Sequence, residues 1–287
     1  MVSRVLLAVI LVMTCATLAA ASPGEDADSA YRRGDFKQAL QLYLPLAEQG
    51  DDLSQHALGL MYMKGQGVPQ NYTEALKWYF LAAEKGNGLS QQNLGVMYSK
   101  GYGVPQDNAE AAKWYWRSAQ QGIAEAQFRV GFLYSRGQGL PQDYAEGAKW
   151  YLKAAEQGLG NAQLSLGFAY ESGRGVPKDL TRAYMWFAVA SVMLDDNKAA
   201  VIWQDRTYSR LPVTQAGKAQ EMAQLCLETH FRNCAREWTP TRSSIASQST
   251  IRRRFFGRGR ARCSCGKWTA RSSSTPATKG TTAWRTF

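Results

Sequence analysis

Histidine is nearly absent from this 287-residue chain; there are two, His56 and His230. So few imidazoles leave little material for general-base catalysis or for a histidine-built metal centre. Gly-x-Ser-x-Gly and His-Glu-x-x-His are also missing, which removes two common hydrolase signatures. Cysteine is sparse, with five residues at 15, 226, 234, 263 and 265. That scatter excludes a framework of one disulfide per structural unit. No apolar run approaches the roughly 20 residues that a transmembrane helix requires. Acidic side chains are missing altogether from the last 49 residues, 239–287, which carry eleven of the 34 Lys and Arg. Residues 1–238 are therefore balanced, with 23 basic and 23 acidic side chains, and the net charge of +11 belongs to the tail. A nucleic-acid-binding function for the folded part is not expected on that distribution.

What the chain has in abundance is itself. Residues 94–122 read LGVMYSKGYGVPQDNAEAAKWYWRSAQQG. Thirty-six residues earlier stands LGLMYMKGQGVPQNYTEALKWYFLAAEKG, and thirty-six later VGFLYSRGQGLPQDYAEGAKWYLKAAEQG, then LGFAYESGRGVPKDLTRAYMWFAVASVML. A fixed period of this length marks a solenoid of stacked helix pairs. In the first copy Gln55, Leu58, Gly59 and Tyr62 fall at i, i+3, i+4 and i+7, one face of a helix. The interior glycine recurs as Gly95, Gly131 and Gly167. It costs about 1 kcal/mol relative to alanine, so its recurrence predicts a close approach by a second helix. Gly65 supplies a left-handed end to the first helix and Pro69 blocks its continuation. The second helix starts with Asn71 and Glu74, read as a capping box. Asp107 with Glu110, Asp143 with Glu146, and Asp35 with Gln38 are read the same way. Asp179 faces Arg182 instead, so that box is broken. The apolar face of the second helix holds Ala75, Trp78, Tyr79, Ala82 and Ala83.

The Gly-x-Gly-Val/Leu-Pro turn, the Lys-Trp-Tyr box and the helix-ending glycines Gly86, Gly122 and Gly158 recur in register. In these features the chain resembles the Sel-one-like repeat family, a tetratricopeptide-like group, over residues 29–238. The resemblance implies an all-α fold, a right-handed α-solenoid of stacked antiparallel helix pairs. It also implies a scaffold that holds proteins or peptides, without catalysis or cofactor.

The chain divides accordingly. Residues 1–21 read as a secretory signal peptide, with Arg4, an apolar stretch over 5–13 and Ala19-Ala20-Ala21 as cleavage site; lipid attachment at Cys15 is the weaker reading. No transmembrane segment is expected after cleavage, and the expected location is periplasmic or secreted. Residues 22–50 form an N-terminal partial unit whose helix Pro45 is expected to kink. Four full units occupy 51–86, 87–122, 123–158 and 159–194. Capping helices follow over 195–238, the first opened by Asp195-Asp196 and the last capped by Thr214. Residues 239–287 have no periodicity and read as a disordered basic tail. A reading frame that slips after about codon 238 explains their composition better than a basic arm for an anionic polymer does.

The binding residues expected lie on the outer face of the first helices. Asn93, Lys100, Arg129, Phe132 and Arg136 are the groove candidates, suited to an extended peptide with acidic or aromatic anchors. The apolar row Leu60, Val96, Phe132 and Phe168 reads somewhat better as packing between units. The row Trp78, Trp114, Trp150 and Trp186 is assigned to the core between units. Cys226, His230 and Cys234 fall at i, i+4 and i+8; a disulfide Cys226–Cys234 is preferred to a metal site in an oxidising compartment. No catalytic or metal residue is assigned. A cell-wall or β-lactam-acting enzyme is the alternative, because cysteine-rich relatives are linked with β-lactam binding. The missing cysteine in each repeat speaks against it, and Ser264 with Lys267 reads as a chance Ser-x-x-Lys. The partner is an unidentified protein or peptide, and the sequence leaves the oligomeric state open.

Overall fold

In a computed structural model, residues 22–194 and 198–231 and Cys234 are described. The stretch over 1–21 read as a signal peptide, the expected Asp195-Asp196 helix start and the tail over 239–287 lie outside them. The described residues form twelve helices and no strand. The leading pair is α1 (Pro23–Arg32) and α2 (Phe36–Glu48). Four pairs follow: α3 (Asp52–Lys64) with α4 (Tyr72–Glu84), α5 (Gly88–Lys100) with α6 (Asn108–Gln120), α7 (Ala124–Arg136) with α8 (Tyr144–Ala155), and α9 (Gly160–Ser172) with α10 (Leu180–Met193). The chain goes on through α11 (Lys198–Ser209) and α12 (Val213–Glu228). The leading unit is thus a complete helix pair with a short turn. Pro45 removes one backbone donor, yet α2 runs on to Glu48.

Each turn is closed by long-range pairing that the local pattern does not display. The capping boxes are not closed. The side chains of Asn71, Asp107, Asp143 and Asp179 accept the first amides of the second helices. Their own amides donate to Tyr62, Tyr98, Tyr134 and Tyr170 carbonyls at 2.9–3.0 Å. That takes the donor a box needs and satisfies an orphan carbonyl at the end of the first helix. Glu74, Glu110 and Glu146 are left to pair with Lys77, Lys113 and Lys149 three residues on. Asp35 follows the same rule, its amide donating to the Ala30 carbonyl. A closed box does occur at Ser22 with Glu25. Thr214 is not a cap either; α12 begins after Pro212, whose carbonyl receives the Gln215 and Ala216 amides.

The interior glycines make room for an aromatic ring. A Cβ on Gly95 would lie 2.6 Å from a ring carbon of Tyr115, and the same geometry joins Gly59 to Tyr79, Gly131 to Tyr151 and Gly167 to Phe187. The first and second helices of a unit therefore lock by seating a ring on bare backbone. Between units the core is a chain of small clusters. One joins Ala75, Tyr79 and Ala83 of α4 to Leu94 and Met97 of α5 and to Trp114 of α6. The next joins Ala111, Tyr115 and Ala119 to Ala126, Val130 and Trp150. Trp78, Trp114, Trp150 and Trp186 are all buried.

A glutamine ladder stitches successive units. Gln55, Gln91, Gln127 and Gln163 each donate Nε2 to a carbonyl eight residues back, at Ala47, Ala83, Ala119 and Ala155. Gln121 donates in turn to Gln91 Oε1 at 2.8 Å and to the Gly86 carbonyl at 2.9 Å. Gln157 donates to Gln127 Oε1 at 2.8 Å. The equivalent positions in the first and fourth units hold Lys85 and Met193, and there the Oε1 atoms of Gln55 and Gln163 are buried without a donor. Lys85 reaches the Gly50 carbonyl but not Gln55. Lys85→Gln keeps the carbonyl contact and adds the missing donor. It is expected to stabilise by about 0.5–1.5 kcal/mol, the usual net worth of a hydrogen bond. A thermal midpoint a few degrees above the parent is the expected readout, and a lower midpoint refutes the ladder's role.

Candidate binding groove

The first helices α3, α5, α7 and α9 stand side by side in register, and two cavities open between them. The larger, about 420 Å³, lies where α7, the start of α8 and α9 converge. Its aromatic walls are Phe132, Tyr144 and Phe168, its floor Tyr151, and its cations Arg136 and Arg174. The smaller, about 190 Å³, lies between α5 and α7, with Tyr115 as floor and Lys100 and Arg129 as cations. Phe132 lines both and forms the ridge that divides them.

The turn and cap logic of the repeat sets these positions. Lys100 and Arg136 end their helices one residue before the left-handed Gly101 and Gly137, where a cation also complements the helix dipole. The floor tyrosines are the rings seated on Gly95 and Gly131. Tyr115 lies 3.3 Å from Ser99 Oγ, and burial pushes both Tyr115 and Tyr151 hydroxyls above their ordinary range. They stand in the groove as neutral hydroxyls. Ser135, Ser165 and Ser172 donate their protons to carbonyls four residues back, which leaves oxygen lone pairs for a guest.

The cations differ in their engagement. Arg129 is bound by Glu125, with Nη2 2.8 Å from the carboxylate. Arg136 lies 5.5 Å over the Phe132 ring, and Arg174 lies 5.7 Å over Tyr144. Among the described residues neither of those two makes an ion pair, nor does Lys100. No carboxylate lines either cavity.

The sequence-derived candidates separate on this geometry. Lys100, Arg129 and Phe132 meet in the smaller cavity, and Phe132 and Arg136 in the larger. Asn93 is half-buried on α5 and lines neither. The apolar row divides too. Leu60 and Val96 pack against the inter-unit clusters. Phe132 lines both cavities, and Phe168, edge-on to Phe187 and Trp203, lines the larger. Arg174 and Tyr144 were missed. Arg174 is the middle residue of Gly173-Arg174-Gly175; a reading of that motif as turn chemistry alone passes over the side chain at its centre.

Away from the groove, His56 lies half-buried, its Nδ1 2.8 Å from the Oγ of the fully buried Ser90. Burial lowers its pKa, with Asp52 opposing. Cys226 and Cys234 are joined as a disulfide with a Cα separation of 4.8 Å. The chain folds back for it after Thr229, with His230 and Phe231 at φ 48° and 69°. Ser264 and Lys267 lie outside the described residues. No group of three His, Cys, Asp or Glu side chains among the described residues is placed to hold a metal ion. No described helix is long and apolar enough to cross a membrane.

The Sel1 repeat pattern matches five segments of the chain, 28–51, 52–87, 88–123, 124–159 and 160–191. Among solved structures, a Sel1 repeat protein from Oxalobacter formigenes is 28% identical with a TM-score of 0.57; the match covers 70% of this chain and 99% of that one. A protective antigen of uropathogenic Escherichia coli with an SLR fold is 26% identical over 76% of this chain and 64% of its own, at a TM-score of 0.36. No curated protein matches the chain.

Proposed function

The chain belongs to the Sel1 repeat family, and we propose that it is a non-enzymatic scaffold holding an extended segment of another protein across its first-helix face, in the periplasm or outside the cell. Members of this family generally serve protein–protein interaction. The observation that carries the reading is the pair of successive cavities sharing Phe132, walled by aromatic rings and open between neighbouring units. An extended peptide suits such a site, because side chains at a regular interval along it enter successive pockets. The compartment rests on the leader over residues 1–21 alone.

The test is selection from an unbiased displayed peptide library on the full chain, followed by affinity measurement on Phe132→Asp. Phe132 is half-buried on the groove side, so helicity is expected to survive and is checked by circular dichroism. Selected peptides should lose at least tenfold in affinity on the variant. Peptides that bind parent and variant alike would place the interaction elsewhere and overturn the groove.

A further inference from the structure

We propose that this groove, accepting the reading above, is built for an acidic segment, with two carboxylates three residues apart and an apolar side chain between them on Phe132. Three observations converge on that chemistry.

The first is charge without countercharge. Lys100 lines the smaller cavity, Arg136 and Arg174 line the larger, and no carboxylate lines either. The chain is not short of acids in this region; it commits them elsewhere. Glu125 holds Arg129, Glu146 holds Lys149, and Glu171, on the same helix as Phe168, is held by Arg210. Among the described residues Lys100, Arg136 and Arg174 are thus left without an ion pair, on one face. A guanidinium accepts a carboxylate through two parallel hydrogen bonds, and Arg136 and Arg174 each lie over an aromatic ring that restrains the side chain.

The second is position. A cation in the last turn, such as Lys100 or Arg136, also serves the helix dipole. Arg174 has no such role, because it follows the left-handed Gly173 that ends α9. The equivalent turn positions hold Gln66, Tyr102 and Gln138, so the repeat does not require a cation there. A second guanidinium has been added to the larger cavity alone.

The third is spacing. Helices of adjacent units sit on the order of 10 Å apart, and a peptide in the left-handed polyproline II form advances about 3.1 Å per residue with three residues per turn, so that residues three apart share one face. Carboxylates that enter successive cavities are therefore three residues apart. The side chains between them cross the ridge at Phe132, where an apolar group is buried.

The probe is the peptide acetyl-Gly-Glu-Phe-Ala-Glu-Gly-amide, fluorescently labelled, against its counterpart with both Glu replaced by Gln. Anisotropy is measured with the full chain and with Arg136→Gln/Arg174→Gln, a variant whose positions are exposed and whose helicity is checked. The acidic peptide should bind at least tenfold tighter than the Gln peptide, weaken with added salt, and lose that advantage on the double variant. Equal binding of the two peptides, or an advantage that persists on the variant, overturns the acidic preference. The library provides the separation from the broader reading. Peptides that depend on Phe132 but are enriched in neutral or basic residues leave the groove standing and refute its acidic specificity. If neither probe binds and the library enriches no Phe132-dependent peptide, both fall together.

Discussion

Trp114→Ala is expected to lower stability by about 3–5 kcal/mol, the usual cost of emptying a packed tryptophan site. The indole is 5% exposed. It packs against Tyr79 and Ala83 of one unit and Leu94 and Met97 of the next, with Phe80 edge-on at 5.9 Å. That loss is a large share of the roughly 5–15 kcal/mol a domain has in hand. Each unit of a solenoid touches only its neighbours, so the damage falls on one joint. For a chain of this size a loss of that order lowers the thermal midpoint by about 6–20 °C. It should also separate the melting of the leading units from the rest. Trp114→Phe is the control: it keeps a ring beside Phe80 and removes an indole N–H that is buried without an acceptor, so it should cost much less. A Trp114→Ala melt that superimposes on the parent would refute the joint.

Gly139→Ala is expected to cost about 2–5 kcal/mol, from two sources. At φ 74° the residue is left-handed, where an L side chain costs about 1–2 kcal/mol. The remainder is space. A Cβ there would lie 2.2 Å from the Asn108 carbonyl oxygen and 2.7 Å from the Ala109 amide nitrogen. That backbone is the start of α6, fixed by the Asp107 cap, which accepts the Ala109 amide at 2.8 Å. It cannot give way cheaply, and overpacking costs about 1–3 kcal/mol. Gly122→Ala separates the two sources, because Gly122 has φ 89° and open space around its absent Cβ. Denaturant melts of both variants give the packing contribution as their difference. Equal losses would mean that the turn does not bear on the preceding unit.

The two substitutions fall on either side of what a single repeat reveals. Left-handed Gly65 and Gly101 and the side-chain caps at Asn71 and Asp107 are local events, governed by residues within a few positions of each other. They are legible as pattern, and the structure has them where the pattern puts them. The capping boxes were misread for the complementary reason. Whether Glu74 reaches back to Asn71 depends on whether that amide is free, and it is taken by Tyr62 from the helix before. Thr214 failed similarly, since Pro212 ends the turn two residues earlier.

By itself the sequence determined the helix pairs, their period and the identity of the core rows, because hydrophobic periodicity, propensity and caps act over one or two turns. It also determined the presence of cations along the first helices, which is a matter of composition at fixed register. Only the tertiary structure decided that Lys100, Arg136 and Arg174 border two adjoining cavities and that Asn93 stands aside. Those outcomes depend on the distance between side chains from different units. That distance follows from how the second helix of one unit packs against the first helix of the next, as Ala83 does against Leu94 and Met97, a packing quantity that no single stretch of sequence contains.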